Sequence, residues 1–386
     1  MINKIKREQI FNLKKVIDSQ FRTSKKDIYL NKLKKEFSTL SHYNYCIPLT
    51  SATAALHTAL KAIKISKNDQ VIISSLTMSA PLQAILACGA KAVFCDIDEN
   101  SFNISMNDLL KKISKKTKAI IIVNIFGLLI DYKILKKNLS KINKKIFIIE
   151  DNAECIFGPK INSRLIKEKS FIDFSLYSFQ SSKIIKSGEG GMLCTNNEKL
   201  ANAAKHFSNL GYQISNRSYK KNRELLKKTN FNRHYAIGIN YRMSELCAAA
   251  IIPQIKNINK ILYYRLLCGQ KFNEILLNYP RILTQNKNNK LLHSYWAYPI
   301  LFDNFLTYQK FEVEFRKFGG DNFYGAWKVP YKEPFYKKFY NKKYDKCLIA
   351  EKIQKRLIQL NTSYINVNKI NQQAKALDLA LKNVFK

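Results

Sequence analysis

The sequence predicts an α/β protein, in which a large domain with a mostly parallel sheet is followed by a smaller α+β domain. Between residues 71 and 151, short apolar runs alternate with stretches of helical periodicity, which is typical of parallel strands covered on both faces. After residue 255 the pattern changes to aromatic strand-like pieces between helices. A chain of 386 residues that is 46% hydrophobic is long enough for two folded domains. We therefore predict a large domain at 1–255 and a small domain at 256–386.

Local apolar patterns predict the individual elements. Buried strands are expected at 71–74, 92–97, 119–123, 146–149 and 192–195. Helices are expected at 28–40, 54–65, 80–88, 106–113, 131–139 and 243–255, the last running on into a linking helix. In the small domain, 293–302 and 319–329 are expected to be strand-like, and 350–358 and 374–381 helical. The polar segment 212–234 is expected to be a surface loop at a substrate mouth.

Composition limits the compartment and the partners. The formal net charge is +38, but the lysines are scattered and Ile, Asn, Tyr and Phe are also abundant, which indicates a coding bias rather than a basic binding face. Eight dispersed cysteines without a C-x-x-C pair are typical of a reduced protein without a zinc site. The longest apolar run, 119–130, is too short to span a bilayer, and the N-terminal residues lack a signal-peptide core. We expect a cytoplasmic protein with no metal, nucleic-acid or membrane partner.

The stretch 177–191, YSFQSSKIIKSGEGG, carries the strongest sign of chemistry. It holds Lys183 between a strand end and a turn with Gly188, Gly190 and Gly191. Glycines this closely spaced indicate backbone that takes positive φ angles or approaches another group closely. A lysine beside such backbone is placed like a Schiff-base lysine next to a phosphate-binding turn. The alternative is that Lys183 is one more solvated lysine.

Two other segments supply groups that would complement such a lysine. Asp151 follows a buried strand, where a carboxylate either caps the next segment or pairs with a protonated ring nitrogen. Ser51 and Thr53 open a helix, where they either only cap it or help free N–H groups to hold a phosphate. Pyridoxal 5'-phosphate requires a lysine, a carboxylate and a phosphate-binding turn together. The sequence therefore indicates this cofactor.

Four segments resemble the DegT/StrS family of PLP-dependent sugar aminotransferases. SATAALHTAL at 51–60 is similar to the S-G-T-A-A-L segment of that family, and IIEDNAE at 148–154 is similar to E-D-A-A-Q. The stretch 177–191 resembles S-F-x-x-x-K followed by G-E-G-G, and GINYRMSELCAA at 238–249 resembles G-Y-N-Y-R-M-S-E. The resemblance runs through nearly the whole chain. It implies the aspartate aminotransferase-like fold of type I, with a large PLP-binding domain and a smaller C-terminal domain.

The resemblance implies catalytic and cofactor-binding roles for three side chains. Lys183 is implied to bind the cofactor covalently and, once freed, to move protons during catalysis. Asp151 is implied to pair with the pyridine nitrogen. Glu154 stands where the family often has Gln or His near the ring oxygen.

The resemblance also implies a phosphate site and an assembly. Ser178 and Thr53, with the backbone at Ser51 and Ala52, are implied to hold the cofactor phosphate. Asn240 is implied to reach the phosphate bound to the other subunit. The protein is therefore expected to be an obligate homodimer with shared active sites.

Three positions depart from the family pattern. Ala52 replaces the usual glycine of the phosphate segment, which implies a less extreme backbone angle there. Met78 stands where an aromatic ring usually stacks on the cofactor. A thioether can also pack against the face of an aromatic ring, so Met78 is expected near the cofactor ring. Ile172 replaces a common glycine before Asp173.

The implied reaction moves an amino group from glutamate to a keto group of a nucleotide-linked deoxysugar, for example a 4-keto-6-deoxy sugar, for cell-surface polysaccharide synthesis. Arg233 and His234 are either contacts for the sugar diphosphate or plain surface. The alternatives are a cyclitol aminotransferase that uses glutamine, a catalytically silent sugar-binding relative and a basic binding protein. A dehydratase of the same family has His in place of the lysine, and Lys183 argues against it.

Overall fold

The chain folds into two β-sheets with helices packed against them. In this computed structural model the described residues are 2–21, 28–142, 145–212, 224, 227–285, 291–339 and 346–386. Most of the predicted loop at 212–234 falls outside this described part. No helix of the described ranges has the length and apolar character needed to cross a membrane.

The described strands and helices occur in an alternating order through the first half of the chain. The strands are β1 (Tyr45–Leu49), β2 (Gln70–Ser74), β3 (Lys91–Cys95), β4 (Thr117–Val123), β5 (Phe147–Asn152), β6 (Phe174–Ser178), β7 (Gly191–Thr195), β8 (Leu283–Thr284), β9 (Ala297–Leu301), β10 (Tyr324–Gly325) and β11 (Leu357–Asn361). The helices are α1 (Ile2–Asp18), α2 (Ile28–Ser41), α3 (Ala52–Ala62), α4 (Ala80–Ala87), α5 (Met106–Lys112), α6 (Tyr132–Leu139), α7 (Pro159–Glu168), α8 (Glu198–Ser208), α9 (Glu245–Lys256), α10 (Ile258–Leu276), α11 (Phe305–Lys317), α12 (Leu348–Gln354) and α13 (Val367–Val384).

The larger sheet confirms the predicted mostly parallel α/β fold. Its seven strands follow the order β1-β7-β6-β5-β4-β2-β3. Strand β7 pairs antiparallel with both of its neighbours, while the remaining pairs are parallel. The smaller sheet, in the order β10-β11-β9-β8, is antiparallel. The central strands are Ile- and Val-rich and buried on both faces, as expected for a parallel sheet.

The strand directions bring the predicted site segments to one edge of the larger sheet. Because β7 runs opposite to its neighbours, its first residue, Gly191, pairs with the last residues of β1 and β6, Leu49 and Ser178. Asp151 lies near the carboxyl end of β5 and pairs with Leu176 of β6. Ligands of parallel sheets bind at this edge.

Two element predictions in the small domain are wrong. The segment 350–358 is not one helix, because α12 ends at Gln354 and Leu357 begins β11. Strand β11 pairs antiparallel with β9 over five residues, and this tertiary pairing outweighs the local helical pattern. The segment 319–329 forms only the two-residue strand β10.

Several elements were not predicted. Strand β1 contains Pro48 and precedes a helix cap, so its local signal is weak, and it is held by pairing with β7. Helices α7, α8 and α11 were also missed, although α8 begins after an N-cap, Asn197, and α7 has Pro159 at its start.

The region around residue 256 is a junction between two helices. Helix α9 ends at Lys256 and α10 begins at Ile258, with Asn257 between them. Residues of the smaller sheet, including Ala297 and Leu357, pack in the same apolar cluster as the larger sheet. The domain boundary at 255 therefore stays a prediction.

Candidate active site

Lys183 lies on the tight connection between β6 and β7. The Phe179 N–H donates to Gly190 O at 2.9 Å, and the Ser181 N–H donates to Gly188 O at 3.0 Å, which closes the connection. Gly188 and Gly190 have φ angles of 87° and 151°. These angles are in the range that favours glycine, so the G-E-G-G segment is required by the turn that presents the lysine.

The Lys183 side chain is held by two contacts. Its Nζ lies 3.2 Å from Oε1 of Glu154 and 4.3 Å from the centroid of the Trp296 ring. The Trp296 Nε1–H in turn donates to Ser182 O at 2.9 Å. The lysine is only 15% exposed, so it is not one more solvated surface lysine. A charged or reactive amine that is fixed in this way is typical of a functional lysine.

Glu154 is buried and connects the lysine to a strained turn. Its Oε2 accepts the N–H of Phe126 at 2.9 Å, and Phe126 has a φ of 58° in the turn after β4. Burial raises the pKa of Glu154, while the Lys183 charge and the Phe126 N–H oppose that rise. Glu154 therefore contacts Lys183 directly, and its role at a cofactor stays a prediction.

Asp151 is a buried carboxylate beside this pair. Burial raises the pKa of Asp151 to about 6, and the Glu154 charge adds to the rise, whereas the Ala153 N–H and the Lys183 charge oppose it. Its Oδ1 accepts the Ala153 N–H at 2.9 Å. A carboxylate that remains this poorly compensated is suited to a cationic ligand group such as a protonated ring nitrogen.

The predicted phosphate segment lies at the start of α3. The Ser51 side chain accepts the Ala54 N–H at 3.0 Å and caps α3, whose first N–H groups have no acceptor within the helix. Gly191 lies so close that a Cβ on it would sit 2.4 Å from the carbonyl of Ser51. Ser178 is the strand partner of Gly191. Hydroxyls, helix N–H groups, a lysine and a carboxylate thus meet at one edge, and this donor set fits pyridoxal phosphate.

The structure places the other predicted cofactor contacts at the surface. Thr53, Met78 and Asn240 are exposed, and Ala52 is the first residue of α3. The Met78 sulfur accepts the Ala80 N–H at 3.2 Å, so it caps the start of α4. Contacts of these residues with a cofactor stay predictions.

The described contacts of the predicted substrate residue His234 are with residues of the segment after α8. His234 is exposed, with Nδ1 2.7 Å from Leu210 O and its ring beside Tyr212. Arg233 is exposed on the same segment. Ile172, the departure before Asp173, is buried in an apolar cluster between the sheet and its helices.

Sequence reasoning missed the aromatic side of the site. Trp296, Trp327 and Phe126 come from three separate segments and stack in nearly parallel planes. The signal was present in the aromatic composition of HSYWAYPILF and GAWK, but composition alone does not show which ring faces the lysine.

A buried ion pair supports the strand that carries Asp151. Glu150 is 0% exposed, and its Oε1 lies 2.8 Å from Lys169 Nζ. Tyr132 and Ser175 donate hydroxyl hydrogen bonds to the same carboxylate, and Asn124 donates at 3.1 Å. Burial raises the pKa of Glu150, but the Lys169 charge and the Ser175 and Tyr132 hydroxyl donors lower it by more, so its net pKa lies below the ordinary value. The ion pair and the hydrogen bonds to Glu150 together hold β5 next to β4 and β6.

Fold and site together define a PLP-dependent transferase of the aspartate aminotransferase-like type. The family model of the DegT/DnrJ/EryC1/StrS aminotransferase family matches residues 3–373. The chain belongs to this family and is an aminotransferase. No group of side chains in the described ranges has the composition of a metal site.

Three known proteins show what this chain is similar to. The GDP-perosamine synthase of Vibrio cholerae is 31% identical over 297 residues, covering 77% of this chain and 74% of that protein. The spore coat polysaccharide biosynthesis protein SpsC of Bacillus subtilis is 28% identical over 277 residues, covering 71% and 68%. The crystal structure of NtdA from Bacillus subtilis with bound cofactor PMP superimposes with a TM-score of 0.83 at 21% identity, covering 98% of this chain and 82% of that one.

Proposed function

We propose that the chain transfers an amino group from glutamate to a keto group of a nucleotide-linked deoxysugar in polysaccharide synthesis. The observation that carries the proposal is the fixed Lys183 amine, which lies between Glu154 and Trp296 beside buried Asp151. The similarity to GDP-perosamine synthases supports a GDP-linked acceptor. The similarity to a spore coat polysaccharide protein supports a role in polysaccharide synthesis.

The roles of the site residues follow from their positions. Bound pyridoxal phosphate supplies an electron sink for the reaction. Lys183 holds the cofactor and, when released, takes up and returns the proton that moves in the reaction. Glu154 Oε1, at 3.2 Å, keeps the lysine nitrogen in place by accepting its hydrogen bond. Asp151 holds a proton on the ring nitrogen, because among the causes of its pKa shift the charge of Lys183 is the one cationic contribution that opposes burial.

The cofactor phosphate is proposed to lie at the start of α3. Ser51, Ala52 and Thr53 supply N–H groups at the positive end of the helix dipole, and Ser178 adds a hydroxyl from the neighbouring strand. Gly191 is required there because any side chain would strike the Ser51 backbone.

The active unit is proposed to be a homodimer whose sites are shared. The segment before α9 presents apolar side chains to solvent, with Ile237 94% exposed and Tyr235 58% exposed. Asn240 follows them and is also exposed. An exposed apolar segment of this kind is typical of a protein–protein interface. A dimer would cover it and bring Asn240 to the partner's phosphate site.

Two further proposals concern the cellular compartment of the protein and the residues that contact its substrate. Dispersed free cysteines, seven of the eight buried, support a reducing cytoplasm. Arg233 and His234 are proposed to approach the substrate diphosphate, which their exposure permits.

The function is tested with the purified holoenzyme and a panel of keto sugars linked to GDP, UDP or dTDP, together with a keto-cyclitol. Each is incubated with glutamate or glutamine, and products are analysed by mass spectrometry. We expect an amine to replace the keto oxygen of a nucleotide sugar with glutamate, and no product from Lys183→Ala. Amination of the cyclitol alone would contradict the proposal.

The shared site is tested by mixing two inactive variants, Lys183→Ala and Asn240→Ala. If Asn240 acts across the interface, mixed dimers contain one intact site and regain activity. If Asn240 acts within its own subunit, the mixture stays inactive.

A further inference from the structure

Three aromatic rings form a continuous stack beside the reactive lysine. The rings of Phe126 and Trp327 lie 5.8 Å apart with an interplanar angle of 7°, and those of Trp327 and Trp296 lie 6.0 Å apart at 11°. At these distances the parallel rings are offset from one another. The sequence has two tryptophans, and both belong to this stack.

Both ends of the stack are connected to Lys183, one directly and the other through Glu154. At one end, Lys183 Nζ lies 4.3 Å from the Trp296 ring centroid. At the other end, the Phe126 N–H donates to Glu154, which also contacts Lys183. The Trp296 ring and the Glu154 side chain therefore contact the lysine nitrogen, and Trp327 and Phe126 extend the stack from Trp296.

The rings differ in exposure in a way that simple core packing does not require. Phe126 is fully buried, whereas Trp296 and Trp327 are only partly buried and lie at the rim of the core. Burying both indoles completely would have stabilised the fold further, since each carries a large apolar surface. Leaving part of two large flat rings open beside a reactive amine suits a ligand with a flat apolar face.

We propose that Trp327 and Trp296 form the platform for the sugar ring of the acceptor, and that Trp327 selects a deoxysugar over a fully hydroxylated one. The inference rests on the proposed nucleotide-sugar aminotransferase function. The C–H groups on one face of a sugar ring, and a methyl group in place of a hydroxymethyl group, are apolar and gain from contact with an indole. A hydroxyl on that side would lose its water without a hydrogen-bond partner.

The experiment measures binding to the holoenzyme by calorimetry, with three probes: GDP-L-fucose, which carries a 6-deoxy sugar, GDP-L-galactose, which carries the same sugar with a 6-hydroxyl, and GDP alone. Trp327→Leu keeps an apolar side chain without a flat ring, and Trp327→Phe keeps a flat ring. Tyr324→Ala is the control, because Tyr324 is 77% exposed on the same segment. Thermal unfolding and cofactor absorbance check that each variant is folded. Tryptophan fluorescence, which reports only on the stack, is recorded in parallel.

We expect Trp327→Leu to weaken GDP-fucose binding about tenfold and leave GDP binding unchanged. Trp327→Phe should stay within about threefold of the wild type, and Tyr324→Ala should match it. The wild type should prefer GDP-L-fucose to GDP-L-galactose, and Trp327→Leu should lose that preference. GDP-fucose should also quench the wild-type tryptophan fluorescence.

Two results would overturn the platform alone: an unchanged GDP-fucose affinity in Trp327→Leu, or an equal loss for GDP and GDP-fucose. A wild type that binds none of the GDP-linked probes would overturn the GDP-linked acceptor as well. The two failures are therefore distinguishable.

Discussion

Glu154 joins Lys183 to the turn after β4. One carboxylate oxygen lies 3.2 Å from Lys183 Nζ and the other accepts the Phe126 N–H at 2.9 Å. Lys183 is therefore positioned by the turn after β4, which lies two strands from β6 in the sheet, as well as by its own loop. This relationship connects the G-E-G-G turn, the E-D-x-x-E segment and the aromatic stack into one site.

The first prediction concerns the hydrogen bond that Glu154 accepts from the Phe126 N–H, as distinct from its contact with Lys183. Glu154→Gln keeps an acceptor for the Phe126 N–H, whereas Glu154→Ala leaves that buried N–H without one. We expect Glu154→Ala to lower the free energy of unfolding by about 1–3 kcal/mol and Glu154→Gln to lower it less. Urea unfolding of the cofactor-free proteins measures both. Equal losses would show that the Phe126 bond contributes nothing.

The second prediction concerns the pH dependence of stability. The pKa of Asp151 in the folded chain is about 6, against an ordinary value of 3.8, so the folded state binds its proton more tightly than the unfolded state does. The stability from this proton is complete below pH 3.8 and is lost as the pH rises through about 6. Cofactor-free Asp151→Asn should therefore be more stable than the wild type at pH 8, by about 1–3 kcal/mol.

The same variant should bind pyridoxal phosphate more weakly, since the amide carries no charge for the ring nitrogen. Urea unfolding between pH 4 and pH 8 and a cofactor titration test the two effects. A variant that is less stable than the wild type at pH 8 would contradict the burial of an uncompensated charge. The difference should close towards pH 4, which serves as the internal control.

The third prediction tests the close approach at the start of α3. In Gly191→Ala the added Cβ would lie 2.4 Å from the Ser51 carbonyl, so the strand or the helix must move. We expect weaker cofactor binding and a loss of about 1–3 kcal/mol of stability. Gly325→Ala is the matched control, because nothing lies within 4 Å of its Cβ position and its φ is not positive. Similar behaviour of the two variants would exclude the proposed packing at Gly191.

The fourth prediction concerns the ion pair behind the site. Lys169→Met removes the cation that faces fully buried Glu150. An uncompensated buried charge costs about 3–5 kcal/mol, so the free energy of unfolding should fall by that amount. Adding Glu150→Gln to Lys169→Met should restore part of the loss, because it removes the stranded charge. Thermal and urea unfolding measure both proteins, and a double variant less stable than Lys169→Met would argue against the ion-pair account.

Much of the fold could be predicted because its main signals are local. Buried parallel strands such as β4 read as continuous apolar runs, and most helix starts carry a capping residue such as Ser51 or Ser105. Elements held by pairing rather than by local pattern were missed or misassigned. Strand β1 depends on β7, and β11 depends on β9.

The candidate site divides in the same way. Lys183, Asp151, Glu154, Ser51 and Ser178 lie in short segments whose spacing is visible in the sequence. Trp296 and Trp327 lie more than 100 residues after Lys183, and only the folded chain brings them to it. The sequence around an aromatic residue does not predict that it will contact a lysine from a distant segment.

The proposed role of Lys183 is tested most directly by finding which residue carries the cofactor. The purified holoenzyme is reduced with borohydride, digested and mapped by mass spectrometry. We expect the reduced cofactor on the peptide that contains Lys183, and its loss in Lys183→Ala. A cofactor found on any other lysine, or on none, would contradict that role.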